Sequence, residues 1–276
     1  MSVTRTFTLL GTGSSGGVPR VGGDWGDCDP AEPRNRRRRC AMLVAQRGAG
    51  GETTLQIDAG ADLREQLLGA GVTSLDATLL THPHADHIFG LDDLRQLALK
   101  LRRPIEVCMD EGTSRTVMRS FGYCFRQAPG SRYPPFCTER RIVHPEPFAV
   151  DGLGGAIEVE TILARHGDID ALGFRIGDVA YLPDVKRVDD ETSLDRLAGL
   201  DVLIVDALRH RPHPAHLSLE ESLALIAHLA PRRAILTNLH GDLDYATLAA
   251  SLPPGVEPGH DGLRVEVAVP ADPRAA

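Results

Sequence analysis

Apolar and polar positions alternate in short runs along this chain, and most runs stop at a glycine, a proline or an acidic residue. Val3 to Leu10, Ala41 to Ala45, Thr53 to Ile57, Ala77 to Thr81 and Ile105 to Met109 read as strands in the first half. Ala156 to Ala164, Ala171 to Ile176, Asp178 to Leu182, Val202 to Val205, Ala234 to Leu236 and Leu263 to Val269 do so in the second, with a hairpin turn at Gly177-Asp178. Helical periods fall between them. They cover Ala61 to Ala70, the face made by Leu91, Leu94, Leu97, Ala98 and Leu101 with Pro104 as its stop, and Thr113 to Ser120. A further helix carries Leu219, Leu223, Ile226 and Leu229 and opens on Ser218-Leu219-Glu220-Glu221, the pattern of a capping box. This inventory permits an α/β fold without choosing its architecture.

Chemistry collects where the strands end. After Ala77 to Thr81 comes His82-Pro83-His84-Ala85-Asp86-His87, three imidazoles and a carboxylate within six positions. Neutral imidazole nitrogens suit zinc and other first-row metals, and the carboxylate adds a harder oxygen, so this density of ligands can serve two ions. Asp58 ends a neighbouring strand, where it can receive the second N–H of a ligand imidazole or cap the helix after it. His166, Asp184 and His240 also follow strands. The capping box pins His216 on a defined loop, whereas His210 and His213 have no such anchor and are expected in solvent. His228 is expected on a helix face.

The first strand runs into Gly11-Thr12-Gly13-Ser14-Ser15-Gly16-Gly17-Val18-Pro19. That loop spells GxGxxG, but Pro19 and Gly22-Gly23 deny it the helix a dinucleotide site needs, and no GK[ST] follows. Its bare backbone, with Ser14 and Ser15, can instead approach an anion. Arg34 and Arg36 to Arg39 place five arginines in six positions, either as a solvated face or as a phosphate clamp of planar forks, with Arg34 and Asn35 as its candidate contacts. The stretch from Phe121 to Phe148, rich in proline and aromatics, is expected to be irregular and to serve as a pocket wall, a lid or an ordinary insertion.

Composition narrows the classes. At 276 residues, 42% hydrophobic and 25% charged, the chain suits one large globular domain or two tightly packed halves, and a single domain over 1–276 with 270–276 as a frayed tail is expected. A net charge of −8 argues against a general nucleic-acid coat, so a phosphate site must be local. The sequence offers no membrane span and no signal-type apolar segment at its start, so a cytoplasmic location without membrane partners is expected. The five cysteines are odd in number and lack CxxC spacing, which favours reduced thiols.

HxHxDH followed by His166, Asp184 and His240 resembles the ligand order of the dinuclear metallo-β-lactamase superfamily, over essentially the whole chain. That resemblance implies a four-layer αββα sandwich of two mixed sheets flanked by helices. It also implies that His82, His84 and His166 hold one divalent ion, Zn2+ or Mn2+, that Asp86, His87 and His240 hold a second, and that Asp184 bridges them. Within the superfamily the chain looks most like the PhnP-type phosphoribosyl cyclic phosphodiesterases, with tRNase Z more distant. The shared features are Gly11 to Pro19, Pro33-Arg34-Asn35, Ile57 to Gly60, and His216 before a capped helix. In the relatives that histidine assists at the phosphate as acid or oxyanion donor. The PhnP-type cysteine cluster for a structural zinc has only Cys28 here, so no such site is expected.

The implied activity is hydrolysis of a small cyclic phosphodiester, either a phosphoribosyl 1,2-cyclic phosphate or a 2′,3′-cyclic nucleotide, by hydroxide generated between two cations. His216, Asp184 and Asp86 would serve as catalytic residues, with His216, Arg34, Asn35, Ser14 and Ser15 at the phosphate and Asp58 behind the metal. No stable nucleic-acid partner is expected, and a homodimer is left open. The alternatives are a tRNA 3′-end processing nuclease, which would need a basic arm, and a non-hydrolytic redox protein, disfavoured because His84 stands where the di-iron relatives place a carboxylate.

Overall fold

A computed structural model describes residues 3–269, so the tail expected at 270–276 lies outside the described residues. The chain runs through β1 (Val3–Gly11), β2 (Ala41–Gly48), β3 (Gly51–Ile57), α1 (Leu63–Gly69), β4 (Ala77–Leu79), α2 (Ala85–Ile88), α3 (Leu94–Leu101), β5 (Ile105–Met109), α4 (Glu111–Phe125) and β6 (Cys137–Arg141). It continues through β7 (Phe148–Val150), β8 (Ile157–His166), β9 (Ile169–Ile176), β10 (Val179–Leu182), α5 (Glu191–Arg196), β11 (Val202–Asp206), α6 (Leu219–Leu229), β12 (Arg233–Thr237), α7 (Tyr245–Ser251), β13 (Val256–Pro258) and β14 (Arg264–Val269).

Two seven-stranded sheets result, in the orders β14-β1-β2-β3-β4-β5-β6 and β13-β12-β11-β10-β9-β8-β7. Both are mixed: β3, β4, β5 and β6 pair in parallel, as do β10 through β13, while the remaining pairs are antiparallel. Alternation along each strand supplies two buried faces per sheet. Phe7, Leu55, Ile57, Leu79, Phe174, Tyr181 and Ile204 point between the sheets, and Leu10, Leu63, Leu80, Leu94 and Val107 pack beneath the helices of the first half. Ile162, Leu182, Leu203, Val205 and Leu236 do the same under the helices of the second. The layers are therefore helix, sheet, sheet and helix.

One expectation changes. The stretch 121–148 is not a continuous irregular segment: α4 runs on to Phe125, β6 lies within it and β7 begins at Phe148, and irregular chain remains at 126–136 and 142–147. Phe121 departs from helical geometry (φ −127°, ψ 21°), but the helix resumes because Cys124 on its far side is fully buried. Packing thus overrides the poor local propensity of Phe-Gly-Tyr.

Candidate metal centre

The site forms where the parallel strands of both sheets end. Residues 80–84 join β4 to α2 and supply His82 and His84, and α2 itself carries Asp86 and His87. β8 ends on His166, β10 is followed by Asp184, and β12 leads to Asn238 and His240. Asp58-Ala59-Gly60, leaving β3, packs so closely on α2 that a Cβ at Gly60 would stand 1.9 Å from the Asp86 carbonyl oxygen. Only glycine lets the two segments meet there.

The structure brings six of the seven proposed ligands together in two lobes. His84 Nδ1 lies 3.0 Å from His82 Nε2 and 3.2 Å from His166 Nε2. In the other lobe, His87 Nε2 lies 3.2 Å from Asp86 Oδ2 and 3.1 Å from Asp184 Oδ2. The other oxygen of Asp184 stands 4.0 Å from His166 Nε2, so this one carboxylate faces both lobes. His240 and Asp86 line the same cavity but belong to none of the triads whose ligand atoms lie within 4.8 Å of one another, and Asp86 joins its lobe only through His87. His240 Nδ1 is engaged by Asp242, at 2.7 Å.

Each ring is oriented from behind. The Asp58 carboxylate accepts from His87 Nδ1 at 2.8 Å and from the Thr81 hydroxyl, which in turn sits 2.9 Å from His82 Nδ1. His166 Nδ1 donates to the Ala215 carbonyl at 2.9 Å. These contacts leave His82, His87 and His166 each presenting Nε2 inward, the arrangement in which neutral imidazole binds a metal. The alternative role for Asp58 fails, since helix α1 follows Asp62 with no side-chain cap.

The electrostatics fit a cation. Burial holds His82 well below its ordinary value and lowers His166, so both are neutral donors. Burial also works to lower His87, but Asp58 and Asp184 outweigh it and hold that ring well above its ordinary value. Asp184 stays ionised although buried, chiefly because His87 opposes the cost of burial. Its Oδ2 is buried, and its contact with His87 Nε2, at 3.1 Å, is an ion pair that lacks hydrogen-bond geometry. An ionised oxygen left without a bond is costly unless a cation takes its lone pairs. These residues can hold metal ions.

Beside the lobes, His216 sits 2.8 Å from Asp206 through Nδ1, with Asn238 Nδ2 donating to both Asp184 and Asp206. Burial pushes Asp206 up to about 7, and the bond to Asp206 raises His216 against its own burial. The pair thus holds a proton near neutrality, with Nε2 of His216 left for the cavity.

That cavity, of about 450 Å3, is lined by Ser14 and Ser15 as expected. Arg34 and Asn35 are not there. Glu32 grips the Arg34 guanidinium at 2.7 Å and Tyr245 stacks beneath it, while fully buried Asn35 ties Asp29, Asp244 and Tyr245 together. The arginine run is mostly internal lacing: Arg38 pairs with Asp261, Arg39 with Asp62, and buried Arg37 donates to the carbonyls of His240 and Leu243. His213, expected in solvent, lines the cavity with its ring 5.0 Å from that of His216. Asp206, Asn238, Arg20 and Arg209 were not marked by the sequence; for Asp206 and Asn238 the available signal was position at a strand end.

Comparison with known proteins agrees with this geometry. Residues 53–238 match the family described as a beta-lactamase superfamily domain. A crystal structure of a diphosphatase from the PhnP family superposes with a TM-score of 0.85 at 33% identity, covering 98% of this chain and 99% of that one. A ribonuclease Z of Bradyrhizobium is 34% identical over 147 residues, 51% of this chain and 45% of the enzyme. A Porphyromonas gingivalis protein named octanoyltransferase is 34% identical over 260 residues, 92% of this chain but 50% of that protein. The chain thus spans about half the length of these curated relatives. No helix of the described residues is long and apolar enough to cross a membrane.

Proposed function

The chain belongs to the beta-lactamase superfamily, and on that footing we propose that it is a dinuclear metal-dependent phosphodiesterase acting on small cyclic phosphodiesters. The observation that carries this reading is Asp184, one carboxylate presented to two lobes of histidine and aspartate ligands. His82, His84 and His166 would hold one divalent ion, Zn2+ or Mn2+, and Asp86, His87 and His240 the other, with Asp184 shared. When bound, such a pair supplies Lewis acidity toward phosphoryl oxygens and an acidic water.

The chain's own groups do the rest. His216 carries a proton on Nε2 toward the cavity, and Asp206 on its other nitrogen fixes the ring and balances its charge. As water adds at phosphorus and gives up a proton, one P–O bond forms and the ester P–O bond breaks, and His216 Nε2 donates its proton to the leaving oxygen, which opens the ring to a phosphomonoester. Asp86 and Asp184 set the charge of the pocket, and Ser14 and Ser15 form its polar wall. A cavity of this size fits a sugar phosphate rather than a macromolecule. The five cysteines are free and buried, in keeping with a reducing, cytoplasmic setting.

The test is hydrolysis of a panel of cyclic phosphates by purified protein loaded with Zn2+ or Mn2+. Ring opening to a monoester is expected, and inertness across the panel would overturn the proposal. Likeness to ribonuclease Z favours tRNA 3′-end processing as a second reading. Salt-sensitive binding and cleavage of precursor tRNA, with no turnover of cyclic phosphates, would select it.

A further inference from the structure

Part of the stretch expected to form a pocket wall, the irregular chain at 126–136, takes no part in the metal centre. With α3, the residues just after it and the end of α4, it encloses a second cavity of about 780 Å3, a size usual for a small-ligand site. The two cavities share no lining residue. Ala98, Leu99, Tyr123, Tyr133, Pro135 and Phe136 give the second one apolar and aromatic walls. Its charge is of one sign: among the described residues Arg95, Arg102, Arg103 and Arg126 line it and no aspartate or glutamate does, in a chain of net charge −8. We infer that this groove is a binding site, separate from the metal centre, for an aromatic organic acid, whose ring lies among the aromatic side chains and whose anionic group is taken by Arg102 and Arg126.

The walls are fixed by the chain itself. The Phe136 N–H donates to the Cys124 carbonyl in α4 at 2.9 Å, and its carbonyl accepts from the Ile105 N–H at the start of β5 at 3.0 Å, so this ring is anchored from both sides. The Ser131 N–H closes a turn on the Ala128 carbonyl at 3.0 Å, and the Ser131 hydroxyl accepts from the Tyr133 N–H at 3.1 Å. Tyr133 therefore stands on a segment tied by its own bonds. Leu99, Tyr123 and Tyr133 are each more than half exposed, although they line one cavity. Singly such residues are ordinary; gathered in one groove they are apolar surface that a ligand would take from water.

The charge argument turns on which arginines are already engaged. Arg103 donates to Asp76 at 2.6 Å and to the Leu75 carbonyl, and Arg95 donates to Asp92 at 2.5 Å with its guanidinium 4.9 Å over the Phe136 ring. Arg102 and Arg126 have no carboxylate within ion-pair distance and no side-chain hydrogen bond among the described residues. Their planar forks match the two oxygens of a carboxylate, and arginine also stacks on aromatic faces. An acid with a flat apolar body meets both the charge and the walls of this groove. A neutral ring would leave the arginines unanswered, and a cation would be repelled.

The experiment titrates the purified protein with 1-naphthylacetate and with its neutral counterpart 1-naphthylacetamide, read by calorimetry. The acid should bind the wild type about tenfold or more tightly than the amide, the gain expected of charge-assisted bonds, and added salt should shrink that advantage. Arg102→Gln/Arg126→Gln should reduce the ratio to about threefold or less with the amide unaffected, whereas Tyr133→Ala should weaken both ligands alike. All three side chains are exposed, so the variants should fold. No binding of the acid up to about 1 mM, equal affinity for acid and amide, or an unchanged ratio in the double variant would overturn the inference. The affinities should be the same for Mn2+-loaded and chelator-stripped protein; an acid that binds only the loaded form sits at the metal ligands, which would also overturn it. A dimer in sedimentation that Leu99→Glu dissociates would give the groove to a second copy, with the same consequence. No readout involves turnover, so the result is independent of whether the protein opens cyclic phosphates.

Discussion

Asp58 and Asn238 hold the two flanks of the site from backbone that other residues avoid. Both lie in the left-handed region (φ 66° and 61°), a conformation that costs about 1 kcal/mol or more outside glycine and that short polar side chains tolerate best. The kink turns Asp58 onto His87 and Asn238 onto Asp184 and Asp206. Asp58→Ala should therefore lower metal affinity by about 10- to 100-fold, read by competition with a chelator. His216→Ala should leave metal content intact while turnover falls about 10² to 10⁴-fold. Equal damage to both quantities in both variants would contradict this division of labour. Residues such as His82, His84, Asp86 and His87 were legible because they are neighbours in sequence. Asp206 was not, because its meaning comes from the fold: β11 beside β10 sets it under the Val185 N–H, and the loop after β11 turns His216, ten positions on, back against it. Arg34 and Asn35 misled for the converse reason, since acids at 32 and 244 claim their side chains.

The short elements are held by their ends. α7 has seven residues, too few for intrinsic helix stability, and depends on Asp244, which caps Thr247 N at 2.9 Å and accepts from the Asn35 amide at 2.6 Å. Burial works to raise Asp244, but the Thr247 and Asp29 N–H groups and Asn35 outweigh it and bring it down to about 2. A carboxyl lowered on folding stabilises the fold above its unfolded value near 4 and loses that contribution as pH falls toward 2. Asp244→Ala should cost about 1 kcal/mol at neutral pH, and the gap to wild type should narrow below about pH 4. Urea midpoints at pH 6 and pH 3 measure it, and a gap equal at both would refute the assignment. Brevity without a flanking motif hid α5, α7 and β13 from sequence reading, at six, seven and three residues, whereas the equally short α1 and β4 stand beside the Asp58 and His82 stretches that marked them. By contrast the helix after Ser218 was legible from its capping box, and both reciprocal bonds are present.

Apart from β14, which returns to the edge of the first sheet beside β1, the two sheets come from successive halves of the chain, and the ligands divide the same way. His82, His84, Asp86 and His87 follow the first sheet's β4, while His166, Asp184 and His240 belong to strand ends of the second. Bound cations would therefore tie one sheet to the other at the site edge, beyond the apolar contacts between their inner faces. They would also relieve the buried Asp184 oxygen and replace the proton that Asp58 and Asp184 hold on His87. Ligands that bind only the folded state at about 100 times their dissociation constant add about 2.7 kcal/mol. In a chain of this size that is a rise in melting temperature of about 5 °C or more. Stripping metal with a chelator should lower the melting temperature by that amount, and re-addition of Zn2+ or Mn2+ should restore it. His84→Ala, which removes one ligand from an exposed position, should melt close to the stripped wild type and respond little to metal. If chelation left the melting curve unchanged while removing the ions, the centre would not join the sheets, and the apolar layer alone would hold the halves together.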